Sequence, residues 1–217
     1  MPASFPETAI STERLLLRPL EEGDAPGLVA MMADELVLSW TDVPQPYTRE
    51  HALGWVRSEV PELRATGRGI AFAVTEHLTQ RLVGIVELHH TDWRLLSTEA
   101  NYVTAPWARG EGYAVESLLG VAQWLFEDRG FHRLELRTAA GNTAAQQVAQ
   151  KIGCISEGVL RSAWIVRTGE VGSAGEESRS DLILWSLLPE DLDAVDSYDG
   201  YQGGAAHENA DRFALHD

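Results

Sequence analysis

Three consecutive leucines, Leu15 to Leu17, stand between charged neighbours in "TERLLLRPL" and predict a first strand. Leu28, Met31 and Met32 then recur at helical spacing behind Asp24, placed to cap the helix, and Pro26 in its first turn. The two prolines of "TDVPQPYT" mark a loop. Thr48 caps a second helix whose inner face is Leu53, Val56 and Val60, and "ATGRG" breaks it. "IAFAVTE" and "RLVGIVELHH", joined by "HLTQ", predict a hairpin, and "TEANYVTAP" a further strand. From Tyr113 the pattern turns helical through Ala114, Leu118, Val121, Ala122, Leu125 and Phe126, and it stops at Gly130. "HRLELRT" alternates as a half-buried strand does. Asn142 opens another helix that runs to about Lys151 and is closed by Gly153. "SEGVLRSAWIVR" and "SDLILWSLL" are two last strands, joined by the Gly/Ser/Glu-rich "TGEVGSAGEES". Hairpins mixed with two crossover helices predict an α+β (mixed α/β) sheet rather than a purely parallel one.

Composition narrows this picture. The chain has 217 residues, 44% hydrophobic and 23% charged, which suits one soluble domain. Residues 1–10 read as an N-terminal extension, 11–193 as the domain, and 194–217 as a flexible acidic tail. No apolar run is long enough for a membrane span, and "MPASFPETAI" has no secretion-signal pattern, so a cytoplasmic protein is expected. The single Cys154 excludes an intrachain disulfide and reads as a packed thiol. The net charge of −16 excludes nucleic acid as an expected partner and tolerates cationic substrates. Part of it is local, since residues 187–217 hold eight carboxylates and one arginine.

The candidate chemistry centres on Asn101 to Leu119, "NYVTAPWARGEGYAVESLL". Gly110 and Gly112 permit a tight turn with positive φ where a strand gives way to a helix. The first N–H groups of that helix lack internal partners and sit at the positive end of its dipole. With Arg109 beside them they fit an anion cradle, and the spacing alone fits equally a plain strand–helix connection with a Gly cap. The spacing is neither a P-loop nor a dinucleotide fingerprint.

The run from Val103 to Ser117 resembles motif A of the GNAT acetyltransferases, and "NTAAQQVAQKIGCISEGVLR" from Asn142 is similar to the Asn-bearing helix and following strand of that superfamily. "RLLLRPL" and "SDLILWSLLPEDL" resemble the branch of ribosomal-protein N-terminal acetyltransferases, RimJ/RimL-like. The resemblance covers residues 11 to 193 in consistent order. It implies a GNAT fold, a mostly antiparallel twisted sheet splayed at the cofactor site and flanked by helices. It implies acetyl-CoA as co-substrate, direct acetyl transfer to a primary amine of a protein N-terminus or a small molecule, no membrane partner, and a monomer or homodimer. Carried over onto this chain, the main chain of Val103, Thr104 and Ala105 would pair with pantetheine. The N–H groups of Arg109, Gly110, Glu111, Gly112, Tyr113 and Ala114 would hold the diphosphate, and Asn142 the pantetheine or the splayed backbone.

Two departures from the family stand out. Trp107 takes a turn position commonly held by Gln or Arg, and Ala145 and Ala149 stand where relatives place a Ser or Tyr hydroxyl for the departing thiolate. A catalytically silent acyl-CoA-binding module, or a transferase using another acyl-CoA, are therefore open alternatives. Glu87, which interrupts an apolar strand, is the first candidate base, with Glu99 and His89 next. His89 and His90 should point to opposite faces of a strand, and no metal site is expected from them.

Overall fold

The computed structural model describes residues 3–168 and 176–192. Of the linker expected over 168–178, residues 169–175 lie outside them, while its two ends belong to strands that run to Thr168 and start at Glu176; the tail expected over 194–217 also lies outside them. The strands are β1 (Ile10–Ser11), β2 (Leu15–Arg18), β3 (Ile70–Glu76), β4 (Leu82–Asp92), β5 (Ser97–Thr104), β6 (Arg133–Ala139), β7 (Ile155–Thr168) and β8 (Glu176–Leu187). They form one sheet in the order β1-β2-β3-β4-β5-β6-β8-β7. Every neighbouring pair is antiparallel except β5 and β6.

Helices α1 (Ala25–Met32), α2 (Glu35–Trp40), α3 (Arg49–Gly54) and α4 (Val60–Ala65) lie between β2 and β3. A π-helical segment, Trp55–Glu59, joins α3 to α4. Helix α5 (Tyr113–Gln123) continues through a second one, Trp124–Asp128, and α6 (Thr143–Lys151) follows β6. The first five residues of β4 and the first six of β3 are buried, so both faces of the sheet centre are covered. One face receives α5: Phe72 of β3 meets Trp124 edge-on at 5.8 Å, and Leu118, Val121 and Leu125 are fully buried with Leu88, Leu134 and Leu136. That face carries the even-numbered residues of β4. The odd-numbered ones, Ile85, Glu87 and His89, turn to the other side.

Phe5, inside the segment read as an extension, is buried in an aromatic cluster with Trp93, Trp124 and Phe131 at centroid distances of 4.9–5.8 Å. Asp24 does not cap α1 with its side chain. Its carboxylate accepts instead from both Arg18 Nη atoms, at 2.8 and 2.9 Å, and from the Glu21 N–H. Thr48 does cap α3, accepting from the His51 N–H. No helix among the described residues is long and apolar enough to cross a membrane.

Candidate active site

Strand β5 pairs with β6 only where Ser97, Thr98 and Glu99 face Arg133, Leu134 and Glu135. Beyond Glu99 the two strands part, although β5 runs on to Thr104 and β6 to Ala139. The Ala105 N–H donates to Val83 O at 2.9 Å, which fixes the alternation along this edge. The polar groups of Val103 and Ala105 therefore face β4, while those of Tyr102 and Thr104 face the gap. Of the three residues expected to meet pantetheine, Thr104 is the one whose main chain is turned that way.

The turn beyond β5 opens α5. Gly110 and Gly112 have φ of 84° and 79°, the left-handed region where a Cβ is strained. The first helical bond runs from Glu116 N–H to Gly112 O at 3.1 Å. The N–H groups of Tyr113 and Ala114 precede it and have no helical acceptor. Arg109 lies beside them and forms an ion pair with Asp34, the N-cap of α2. Burial opposes ionisation of Asp34, but the Arg109 guanidinium and the N–H groups of Val37 and Leu36 hold its carboxyl below the usual range. Trp107 is turned away from the cradle, its Nε1–H donating to Leu82 O at 3.0 Å and its ring covered by Arg81.

The sequence reading missed what holds this turn. Glu116 Oε1 accepts from the Thr12 hydroxyl at 2.6 Å and from the Arg14 N–H at 2.8 Å, and Oε2 accepts from Arg14 Nε at 2.6 Å. Arg14 Nη1 donates onward to Glu111 O, and the Tyr113 hydroxyl donates to Glu76 at 2.6 Å. The available signal was the spacing of an acid one helical turn into α5 and an arginine at the start of β2. Asn142 caps α6, with Oδ1 accepting from the Ala145 N–H at 3.1 Å, which leaves its amide NH₂ for a ligand. Ala149 is fully buried, so no hydroxyl occupies that core position. Cys154 is buried, and its thiol is pushed up to about 12, first by burial and then by Asp191.

The chain belongs to the GNAT acetyltransferases. Residues 14–155 match the family described as "Acetyltransferase (GNAT) domain". The chain is 25% identical over 152 residues to the uncharacterized N-acetyltransferase YoaA of Bacillus subtilis, covering 70% of this chain and 85% of that protein. Among solved structures it is similar to Mycobacterium smegmatis RimJ in complex with CoA-disulfide. The TM-score is 0.73 and the identity 20%, covering 91% of this chain and 95% of that one. It is also similar to a chimera of spermidine N-acetyltransferase SpeG from Vibrio cholerae and hSSAT, with a TM-score of 0.65 and 20% identity, covering 82% and 97% of the two chains. The protein is thus an N-acetyltransferase by family, on the mixed, mostly antiparallel sheet expected of it.

The GNAT sheet brings the three candidate catalytic residues onto one face. Glu87 stands opposite Asn101, and His89 opposite Glu99. Glu87 is half-buried and its carboxyl is pushed up to about 7, first by burial and then by the charges of Glu59 and Asp42. Those two acids come from the segments following α3 and α2, so the N-terminal helices line this side. Glu59 also raises the half-buried Tyr47 hydroxyl, after burial. Glu99 differs from Glu87 in being tied down: Arg137 Nε lies 3.2 Å from its Oε2 and His90 Nδ1 3.2 Å from the same atom. Burial holds the His89 imidazole below its ordinary value, against the pull of Glu99. His90 does not point away from His89 as expected, because its φ is 52° and the β4–β5 register shifts between His89 and Asp92. The bulge turns both rings to Glu99.

Proposed function

We propose that this GNAT enzyme takes acetyl-CoA and acetylates, by direct transfer, a primary amine that carries further positive charge. The diphosphate would lie on the main-chain N–H groups of 109–114. The pantetheine would run along the free edge of β5, with Thr104 pairing to it as an added strand and the Asn142 amide donating to it. The thioester would then sit where β5 and β6 part, beside Glu99 and Asn101.

The observation that carries the acceptor assignment is the group Glu87, Asp42 and Glu59 on the helix-covered side of that point. None of the three has an ion-pair partner among the described residues. Unpaired carboxylates around one point favour an ammonium group, and a second one at a short distance. Glu87, on β4 opposite Asn101 of the strand that edges the gap, is the group placed to receive the amine proton, and Glu99, held by Arg137 and His90, positions rather than reacts. A small diamine or polyamine fits this set, and a protein N-terminus is the competing acceptor.

A thiol-release assay with acetyl-CoA over matched monoamines, diamines and N-terminal peptides tests the reading, with the product identified by its added acetyl mass. Diamines should show the highest kcat/KM. Equal rates for a monoamine of the same length would remove the acceptor assignment while leaving the acetyl-CoA assignment standing. A second reading, a silent acyl-CoA-binding module, is favoured by Ala145 and Ala149. It predicts CoA binding with no thiol release from any amine.

A further inference from the structure

The bulge in β4 gathers two imidazoles against Glu99, a carboxylate that Arg137 already holds. Like Gln80, Leu96 and Ser162, His90 holds a positive φ, here 52°, which is uncommon for a residue with a Cβ. Its effect is to bring two consecutive imidazoles and one carboxylate together. The Nδ1 atoms of His89 and His90 lie 3.0 Å apart, and His90 Nδ1 lies 3.2 Å from Glu99 Oε2. One such atom from each of the three residues lies within 4.8 Å of the others. Atoms bound to one metal ion at about 2.0–2.2 Å stand roughly 3–3.5 Å from each other; both short separations match that spacing, and the third pair, within 4.8 Å, would close onto the ion.

Without a cation, one proton on His90 Nδ1 must serve both short contacts. His89 Nε2, meanwhile, is buried with no hydrogen-bond partner, and Glu99 Oε1 lies 3.8 Å from it. A bound cation would take both Nδ1 lone pairs and the carboxylate. His90 is 71% exposed and its own second N–H would meet water, while Glu99 is 7% exposed and His89 15%, so the ion would have a fixed inner side and an open outer one.

We propose that His89, His90 and Glu99 form a three-ligand site for a divalent first-row transition ion. Two imidazoles and a carboxylate, without thiolate, suit Zn²⁺ or Ni²⁺ better than Mg²⁺ or Ca²⁺. Arg137 orients Glu99 from β6, and its positive charge opposes the ion, so the site binds reversibly rather than as a closed structural cage. The site lies two cross-strand pairs along from Glu87 and on the same face. A bound dication there repels an approaching ammonium group and withdraws Glu99, so the ion acts as a reversible inhibitor. This last step rests on the acetyl-transfer reading above, whereas the binding site does not.

Full-length protein freed of metal with EDTA and titrated with Zn²⁺, and separately with Ni²⁺, by calorimetry tests the site. His90→Asn removes the imidazole while keeping a residue that tolerates the left-handed backbone. The wild type should bind one ion for which His90→Asn shows at least tenfold weaker affinity, and Mg²⁺ should not compete. Equal affinity in the two proteins, or binding abolished by Mg²⁺, overturns the site. With the amine assay in hand, Zn²⁺ should inhibit the wild type, EDTA should restore it, and His90→Asn should resist inhibition at the same concentration. Binding without any difference in inhibition between the two proteins overturns the regulatory step alone.

Discussion

Glu87 and Glu99 lie on adjacent strands and face the same side, yet only Glu99 has cations and imidazoles against it. That difference separates a fixed carboxylate from a free one, and it argues the first prediction. Glu87→Gln keeps the shape and removes the proposed proton acceptor. It should lower kcat by roughly 10²-fold, within the range contributed by general bases, with a smaller change in KM. A rise in KM alone would make Glu87 a binding group for the ammonium instead. The candidacy of Glu87 was legible in the sequence because a single acid interrupts an apolar strand. The tying-down of Glu99 was not, since Arg137 comes from a strand 38 positions away along the chain. A second prediction belongs to Gly112. A Cβ there meets only Arg14 Nη2 at 3.6 Å, an ordinary contact, so the cost of Gly112→Ala is the positive φ itself. Calorimetry should show CoA affinity falling about tenfold, or about 1.4 kcal/mol, because relieving that φ moves the N–H groups of the turn. A folded variant with unchanged affinity would mean that the diphosphate lies elsewhere.

At the scale of elements, the long strands and α5 and α6 were readable because each repeats its apolar positions over several turns or alternations. Helix α2 was not read, because six residues between loops carry no stripe, and β1 is only two residues long. The bulge at His90 was unreadable in principle, since no glycine or asparagine announces a left-handed residue there. The parting of β5 from β6 came from family resemblance rather than from any residue pattern. The join between β2 and α5 also escaped notice, and it is where element stability can be tested. Glu116 is 16% exposed and accepts three hydrogen bonds from Thr12 and Arg14. Burial works against its ionised form, but those donors win and hold its carboxyl below the ordinary value. A depressed folded-state value means that this contribution is present above the unfolded value of about 4.3 and is lost as pH falls through the folded one. Glu116→Gln should therefore destabilise the protein by about 2 kcal/mol at neutral pH. The difference from wild type should shrink on acidification below about pH 4. A gap that stays constant down to strongly acid pH would show that shape, rather than charge, holds the join.

On the proposed function, a chain of net charge −16 has to handle two substrates of opposite sign. Acetyl-CoA is a polyanion and must approach an acidic surface, with Arg14 and Arg109 at the turn as local counter-charges, both already paired to carboxylates. A cationic amine is drawn toward the same surface and toward Asp42, Glu59 and Glu87. Salt screens both effects over a Debye length of about 10 Å at 0.1 M, so it must move the two substrates in opposite directions. Raising ionic strength should increase KM for a diamine several-fold. KM for acetyl-CoA should hold steady or fall, because long-range repulsion is relieved while the main-chain N–H contacts, made at short range, are screened less. A monoamine should show a weaker dependence than a diamine. Parallel increases for acetyl-CoA and diamine would mean that local arginines outweigh the net charge in drawing in the cofactor. No salt effect on the diamine would remove the acidic acceptor pocket from the account.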